Sequence, residues 1–147
     1  MELRDYRRMP PVAAAMTPFP YHVQVDDPIS EVERLMAEHR IRHVPVQDGG
    51  RVVGIISERD LHHLVNPALP LRDRARIRAR DVLRAEPYVV DIHAPLDLVV
   101  EEMARRQVGS AIVLRGQRLA GILSATDVCR VLAEILRQRF PDGDQAA

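Results

Sequence analysis

The chain has 147 residues, 46% hydrophobic and 29% charged, the balance of one globular domain or of two small halves packed together. Its formal net charge is zero, which counts against a general attraction to nucleic acid or an acidic membrane. All 21 basic residues are arginine, so a Walker A phosphate loop, a Schiff-base lysine and a lysine general base are excluded.

Residues 1–15 carry Arg4, Arg7, Arg8 and the pair Pro10-Pro11, and read as an extended lead-in, mobile at its start. They lack the apolar stretch of a signal peptide, and no later run reaches membrane-span length. A cytoplasmic protein with no membrane partner is expected. From Met16 a repeat begins. Sliding the sequence so that Pro20 falls on Pro87 also sets Tyr21 on Tyr88, Val23 on Val90, Pro28 on Pro95, Val32 on Val99 and Met36 on Met103. The same shift, without a gap, places Gly49, Arg51, Gly54, Ile55, Ser57 and Asp60 on Gly116, Arg118, Gly121, Ile122, Ser124 and Asp127. The chain therefore divides into a first repeat at 16–65, a linker at 66–81, a second repeat with a C-terminal helix at 82–137, and a polar tail at 138–147.

Each unit shows the same layout. A short strand (Tyr21 to Val25, Tyr88 to Ile92) alternates in period two. A helix comes next, with Asp27 as N-cap and Pro28 at its first position. Ile29, Val32, Leu35 and Met36 share one face of it, as do Leu96, Val99 and Met103 in the second copy. A hairpin runs from His43 to Gln47, through Asp48-Gly49-Gly50, into Arg51 to Ile56; Ser110 to Leu114 and Leu119 to Leu123 echo it. A last helix closes the unit. The expected fold class is α/β (α+β): β-α-β-β-α twice, the halves packed face to face about a pseudo-twofold axis.

The informative stretch is Gly54-Ile55-Ile56-Ser57-Glu58-Arg59-Asp60-Leu61 and its copy Gly121-Ile122-Leu123-Ser124-Ala125-Thr126-Asp127-Val128. Each reads as a buried strand turning directly into a helix, with a hydroxyl and a carboxylate at the junction. Such an elbow can hold a phosphorylated, ribose-bearing ligand. Ser-x-x-Asp is equally a capping box in which the acid serves its own backbone. Duplication in a strand-to-helix context after glycine weighs for a ligand site somewhere on the pair.

Two copies of Gly-x-x-Ser-x-x-Asp, each closing a β-α-β-β-α unit, resemble a tandem cystathionine-β-synthase (CBS) domain pair, or Bateman module. His39 to Val46 and Val108 to Val113 carry the same likeness before each hairpin. The resemblance covers about Met16 to Leu136 and implies a stand-alone module that binds an adenosyl ligand (AMP, ADP, ATP, S-adenosylmethionine, sometimes NAD) between the units. It implies that Asp60 and Asp127 accept from ribose hydroxyls, and that Ser57, Ser124 and Thr126 meet phosphate, with Arg59 and Arg42 adding charge. Thr17 and the backbone near Tyr21 and His22 would edge the adenine, with Val44 and Pro45 as its apolar wall. Tyr88, Ser110 and Ala111 complete the implied set from the second unit. Gly109 and Thr126 stand where the first unit has Arg42 and Arg59, so unequal sites are expected. The implied function is regulatory: the ligand shifts the module's conformation, read by an effector protein or by a homodimer formed through Leu35/Met36 and the C-terminal helix. The rival is a ligand-free interaction scaffold; nucleic-acid binding is disfavoured by the charge and by aromatics of only 3%.

No catalytic residue, metal site or catalytic cofactor is expected. His39, His43, His62 and His63 read as surface histidines, since adjacent residues on a helix diverge too far to chelate. Cys129, the lone cysteine, reads as a packed thiol on an apolar helix. The serines lack the Gly-x-Ser-x-Gly surroundings of a hydrolase nucleophile. The arginine run Arg72 to Arg80 is a solvated linker or short helix, or alternatively an anion contact.

Overall fold

The N-terminal segment does not pack on the repeat that comes after it in the chain. The computed structural model describes residues 3–64, 68 and 71–141. After a 3-10 turn at Val12–Ala14 comes a two-residue strand, β1 (Thr17–Pro18), then β2 (Val23–Gln24), α1 (Ile29–His39), β3 (His43–Asp48), β4 (Arg51–Ser57) and α2 (Glu58–Leu64). Two short helices, α3 (Leu71–Arg74) and α4 (Ala79–Val82), lead to β5 (Val89–Asp91), α5 (Leu96–Arg106), β6 (Ser110–Arg115), β7 (Arg118–Ser124) and α6 (Ala125–Arg139). This is the expected β-α-β-β-α unit, twice. Most of the connector between α2 and α3, with Pro67 and Pro70, and the tail beyond Pro141 lie outside the described residues.

In the first repeat β2 runs parallel to β3, which pairs antiparallel with β4. The second sheet repeats this with β5, β6 and β7, and adds β1 antiparallel along β7. Both hairpins slip register at the same place, after Val46 and after Val113. Their turns need left-handed backbone, supplied by Gly49 (φ 58°), Gly50 (φ 91°) and Gly116 (φ 62°), where a Cβ would be strained. Strand alternation then divides the isoleucines. Ile56 enters the first core beside Val32, Leu35, Met36 and Val44, while Ile55, Ile112 and Ile122 form a separate apolar contact with Val52, Leu114 and Leu119.

The segments leading into the two repeats are exchanged. Pro10 to Thr17 packs on the second repeat: Val12 is fully buried in its core, Val12 N–H donates to Ala94 O at 2.7 Å, and Leu96 N–H to Pro10 O at 2.9 Å. Ile77 to Arg84 does the same to the first repeat. Ala79 is fully buried there, its N–H donates to Asp27 O at 2.9 Å, and Ile29 N–H donates to Ile77 O at 3.0 Å. Matching bridges, Pro11 with Pro95 and Pro28 with Arg78, complete the symmetry. Gly54 and Gly121 lie beneath these crossings. A Cβ on Gly54 would sit 2.7 Å from both Arg84 O and Leu83 Cδ1, and one on Gly121 would run into Met16. The motif glycine thus serves close backbone passage rather than a turn.

Several expectations change. The lead-in is structural from Pro10 onward, not a free extension. Asp27 is not the cap of α1; the N-cap is Pro28, and the Asp27 carboxylate accepts from Gln24 N–H at 2.8 Å, tightening the turn before it. Leu35 and Met36 are core residues, 6% and 9% exposed, so they cannot meet a second copy. Two of the linker cations are met within the fold: Arg74 pairs with Glu33 at 2.7 Å, and Arg80 Nε donates to Asp26 at 3.0 Å. Cys129 is exposed, because it falls on the outer side of α6.

Candidate functional site

Both elbows form as the sequence suggests, and both use their acid locally. Ser57 N–H faces Asp60 Oδ2 at 3.3 Å while Asp60 N–H donates to Ser57 Oγ at 3.0 Å. At the second elbow Ser124 N–H donates to Asp127 Oδ2 at 2.9 Å, and Asp127 N–H to Ser124 Oγ at 3.2 Å. These are capping boxes. The two acids part company in what else reaches them. Asp127 is 2% exposed and also accepts from the Thr17 hydroxyl (3.1 Å), the Ser124 hydroxyl (3.0 Å) and Arg130 Nη1 (2.9 Å). Asp60 keeps 15% of its side chain exposed and, among the described residues, takes one further donor, Arg84 Nη2 at 3.0 Å.

The first elbow opens onto a cavity of about 620 Å³, inside the size range of small-molecule sites. Its wall combines the elbow (Ile55, Ser57, Glu58, Arg59, Asp60, His63), the start of β3 (Arg42, His43), the exchanged segment with the loop into β5 (Arg84, Glu86, Pro87, Tyr88), and Gln107 to Ser110 before and within β6. Both repeats therefore contribute. Arg42 lies 3.6 Å from Glu58, a long and exposed pairing, whereas Arg59 has no carboxylate partner among the described residues. His43 packs against Gly109, where a Cβ would come within 3.0 Å of the ring. Burial, partly offset by Asp60, holds its imidazole below the usual value. Tyr88 carries the Arg106 guanidinium 4.5 Å from its ring centroid. Burial, with Glu102 nearby, raises its phenol.

Of the residues singled out from sequence, Arg42, Ser57, Arg59, Asp60, Tyr88 and Ser110 come together on this wall. Thr17, Ser124 and Asp127 meet at the other elbow, with Thr126 beside them in the first turn of α6. Thr17 therefore does not edge the cavity that Arg42 lines; exchange of the lead-in carries it across. Val44, Pro45 and Ala111 are fully buried between packed side chains and offer no wall to a ligand in the first cavity. Tyr21 stacks on His39, centroids 3.7 Å apart, and His22 Nδ1 lies 3.2 Å from Pro20 O. His63, Arg84, Glu86 and Gln107 join the wall without having been singled out by the motifs. For Arg84 alone one signal exists: the shift that sets Pro20 on Pro87 also sets Thr17 on Arg84, so naming one nominates the other.

The family model described as CBS domain matches residues 4–66 and 79–134. Inosine-5'-monophosphate dehydrogenase of Korarchaeum cryptofilum is 31% identical over 107 residues, covering 72% of this chain and 21% of that protein. The chain thus spans about a fifth of the length of that curated relative. The AcuB protein of Vibrio cholerae superposes with a TM-score of 0.79 at 23% identity, over 90% of this chain and 96% of that one. The CBS domain pair of protein MJ0100, solved with 5-methylthioadenosine and S-adenosyl-L-methionine, gives 0.75 at 19% identity, over 87% and 99%. CBSX2, solved with AMP, gives 0.74 at 23%, over 87% and 99%.

Proposed function

The chain belongs to the CBS domain family, and from that premise we propose that it is a regulatory module that senses an adenosyl ligand in its first cleft and performs no chemistry. The observation that carries the reading is the cavity itself. It brings the Asp60 carboxylate, the Ser57 hydroxyl and the guanidinium groups of Arg42, Arg59 and Arg84 to one wall at the seam of two repeats. A carboxylate accepts the two hydroxyls of a ribose, and each such charge-assisted hydrogen bond contributes roughly 1.5–3 kcal/mol. AMP, ADP, ATP and S-adenosylmethionine are the candidate ligands, consistent with what CBSX2 and MJ0100 hold.

Because both repeats line the cavity, a ligand favours one arrangement of them and shifts that population. The readout passes to a second copy or to an effector protein. Leu132, Ile135 and Leu136 on α6, with Phe140 beyond it, are about half exposed or more and suit either contact. No helix among the described residues is long and apolar enough to cross a membrane.

Isothermal calorimetry with AMP, ADP, ATP, S-adenosylmethionine and NAD tests the reading. The expected result is one ligand per chain in the wild type and in Asp127→Ala, and none in Asp60→Ala. Binding that survives Asp60→Ala unchanged removes the ribose contact; silence toward every ligand leaves the interaction scaffold as the better account.

A further inference from the structure

Among the described cavity residues, Arg84 is the one whose side chain donates to the acid assigned to the ribose. Its backbone is pinned, with Arg84 N–H donating to Ile55 O at 2.8 Å and Ile55 N–H to Arg84 O at 3.1 Å. Gly54 leaves no slack beneath it. The side chain is looser by contrast, 66% exposed, and among the described residues its Nη2 contact with Asp60 Oδ1 is what holds it. Any movement here is a swing of the guanidinium, not of the chain.

We propose that Arg84 is a specificity switch: it holds Asp60 in the empty cleft and passes to a phosphate when a nucleotide enters, so that the cleft selects nucleoside phosphates over uncharged or cationic nucleosides. The proposal rests on the nucleoside reading of this cleft. A ribose diol offers two O–H donors and needs the outward side of both Asp60 oxygens, one of which Arg84 occupies. An uncharged nucleoside that takes Asp60 leaves Arg84 with water in place of a charged acceptor. A phosphate supplies one, in a planar two-donor geometry that guanidinium matches. Arg59, with no carboxylate partner among the described residues, and Arg42, loosely held by Glu58, add to that preference. A sulfonium ligand would instead place a positive charge beside three guanidinium groups. At the second elbow the crossing segment delivers the neutral Thr17, and the arginine that reaches Asp127, Arg130, comes from one turn on in α6 rather than from the crossing segment.

Calorimetry on the full chain with AMP and adenosine tests this, on wild type, Arg84→Ala and the stem-preserving Arg84→Gln. In the wild type AMP binds roughly ten- to a hundredfold tighter than adenosine, the worth of one or two charged hydrogen bonds. In Arg84→Ala the two ligands move in opposite directions: AMP weakens about tenfold and adenosine tightens about threefold, because its carboxylate is already vacant. Arg84→Gln reproduces the convergence if Arg84→Ala does not fold. An unchanged ratio, or adenosine weakening together with AMP, overturns the switch while leaving the nucleoside site standing. Failure of every ligand to bind the wild type overturns the site and the switch together.

Discussion

The two elbows carry the same four-residue pattern and put it to different use. At Ser124-Asp127 the acid is sealed: a hydroxyl from the exchanged lead-in, a hydroxyl and an amide from its own cap and a guanidinium one helical turn on all converge on it. At Ser57-Asp60 the cap is the same, but the outward oxygen meets the exposed Arg84 above a cavity. A Ser-x-x-Asp motif therefore does not distinguish a staple from a site. What distinguishes them is the side chain delivered by the crossing segment, Thr17 in one case and Arg84 in the other.

Exchanging each acid for alanine breaks the comparison most directly. Asp127→Ala removes a buried carboxylate that accepts from the Ser124 amide, the exposed Thr17 hydroxyl and the exposed Arg130, and costs about 2 kcal/mol, the range for hydrogen bonds to a charged acceptor. Asp60→Ala loses a cap beside solvent and the exposed contact with Arg84, and costs about 1 kcal/mol. Urea denaturation of the two variants measures the difference. Equal losses would mean that Asp127 is as open as Asp60 and that the second cleft can also take a ligand.

The glycines sharpen it at the next level down. Gly54→Ala drives a methyl to 2.7 Å from a backbone carbonyl, which cannot yield without moving the exchanged segment, and costs about 2 kcal/mol. At Gly121 the nearest obstacle is the Met16 thioether, a flexible side chain, with Thr17 O at 3.0 Å behind it. Gly121→Ala costs about 1 kcal/mol or less on that account. Thermal melts of the pair decide; the reverse order would place the tighter crossing at the second repeat.

Much of this was legible in the chain. The duplicated Pro28/Pro95, Gly54/Gly121 and Ser57/Asp60 pairs reveal the units because side chains repeat where packing and capping repeat. The exchange of lead-ins was not legible. Pro10, Val12 and Thr17 stand against Ile77, Ala79 and Arg84, no two alike, because the contacts they share are backbone hydrogen bonds and a buried small residue. For the same reason Val44 and Pro45 could be mistaken for a ligand wall: alternation shows that a strand has a buried face, not which neighbour buries it. Cys129 misled in the same way, since α6 leaves Leu132, Ile135 and Leu136 half exposed and apolar residues there do not mark its inner side.

The smallest expected effect separates the clefts by titration. His43 lines the open cleft; Ser110 stands at the same place in the other hairpin and cannot change charge in this range. Burial lowers the folded-state pKa of His43; the Asp60 carboxylate opposes that, Arg42 reinforces it and Glu58 opposes it again. The unfolded chain, with its histidine near about 6.5, therefore binds the proton more readily than the folded one. Stability from the neutral ring is complete above that value and is lost as pH falls through it toward the folded pKa. Melting the wild type and His43→Gln at steps from about pH 7.5 to about pH 5 isolates this contribution from that of the carboxylates, which both proteins share. The wild type should lose Tm faster below about 6.5, and Ser110→Ala should track the wild-type curve. Parallel curves for wild type and His43→Gln would mean that the imidazole is solvated in the cleft, and that Gly109 does not close over it as the geometry requires.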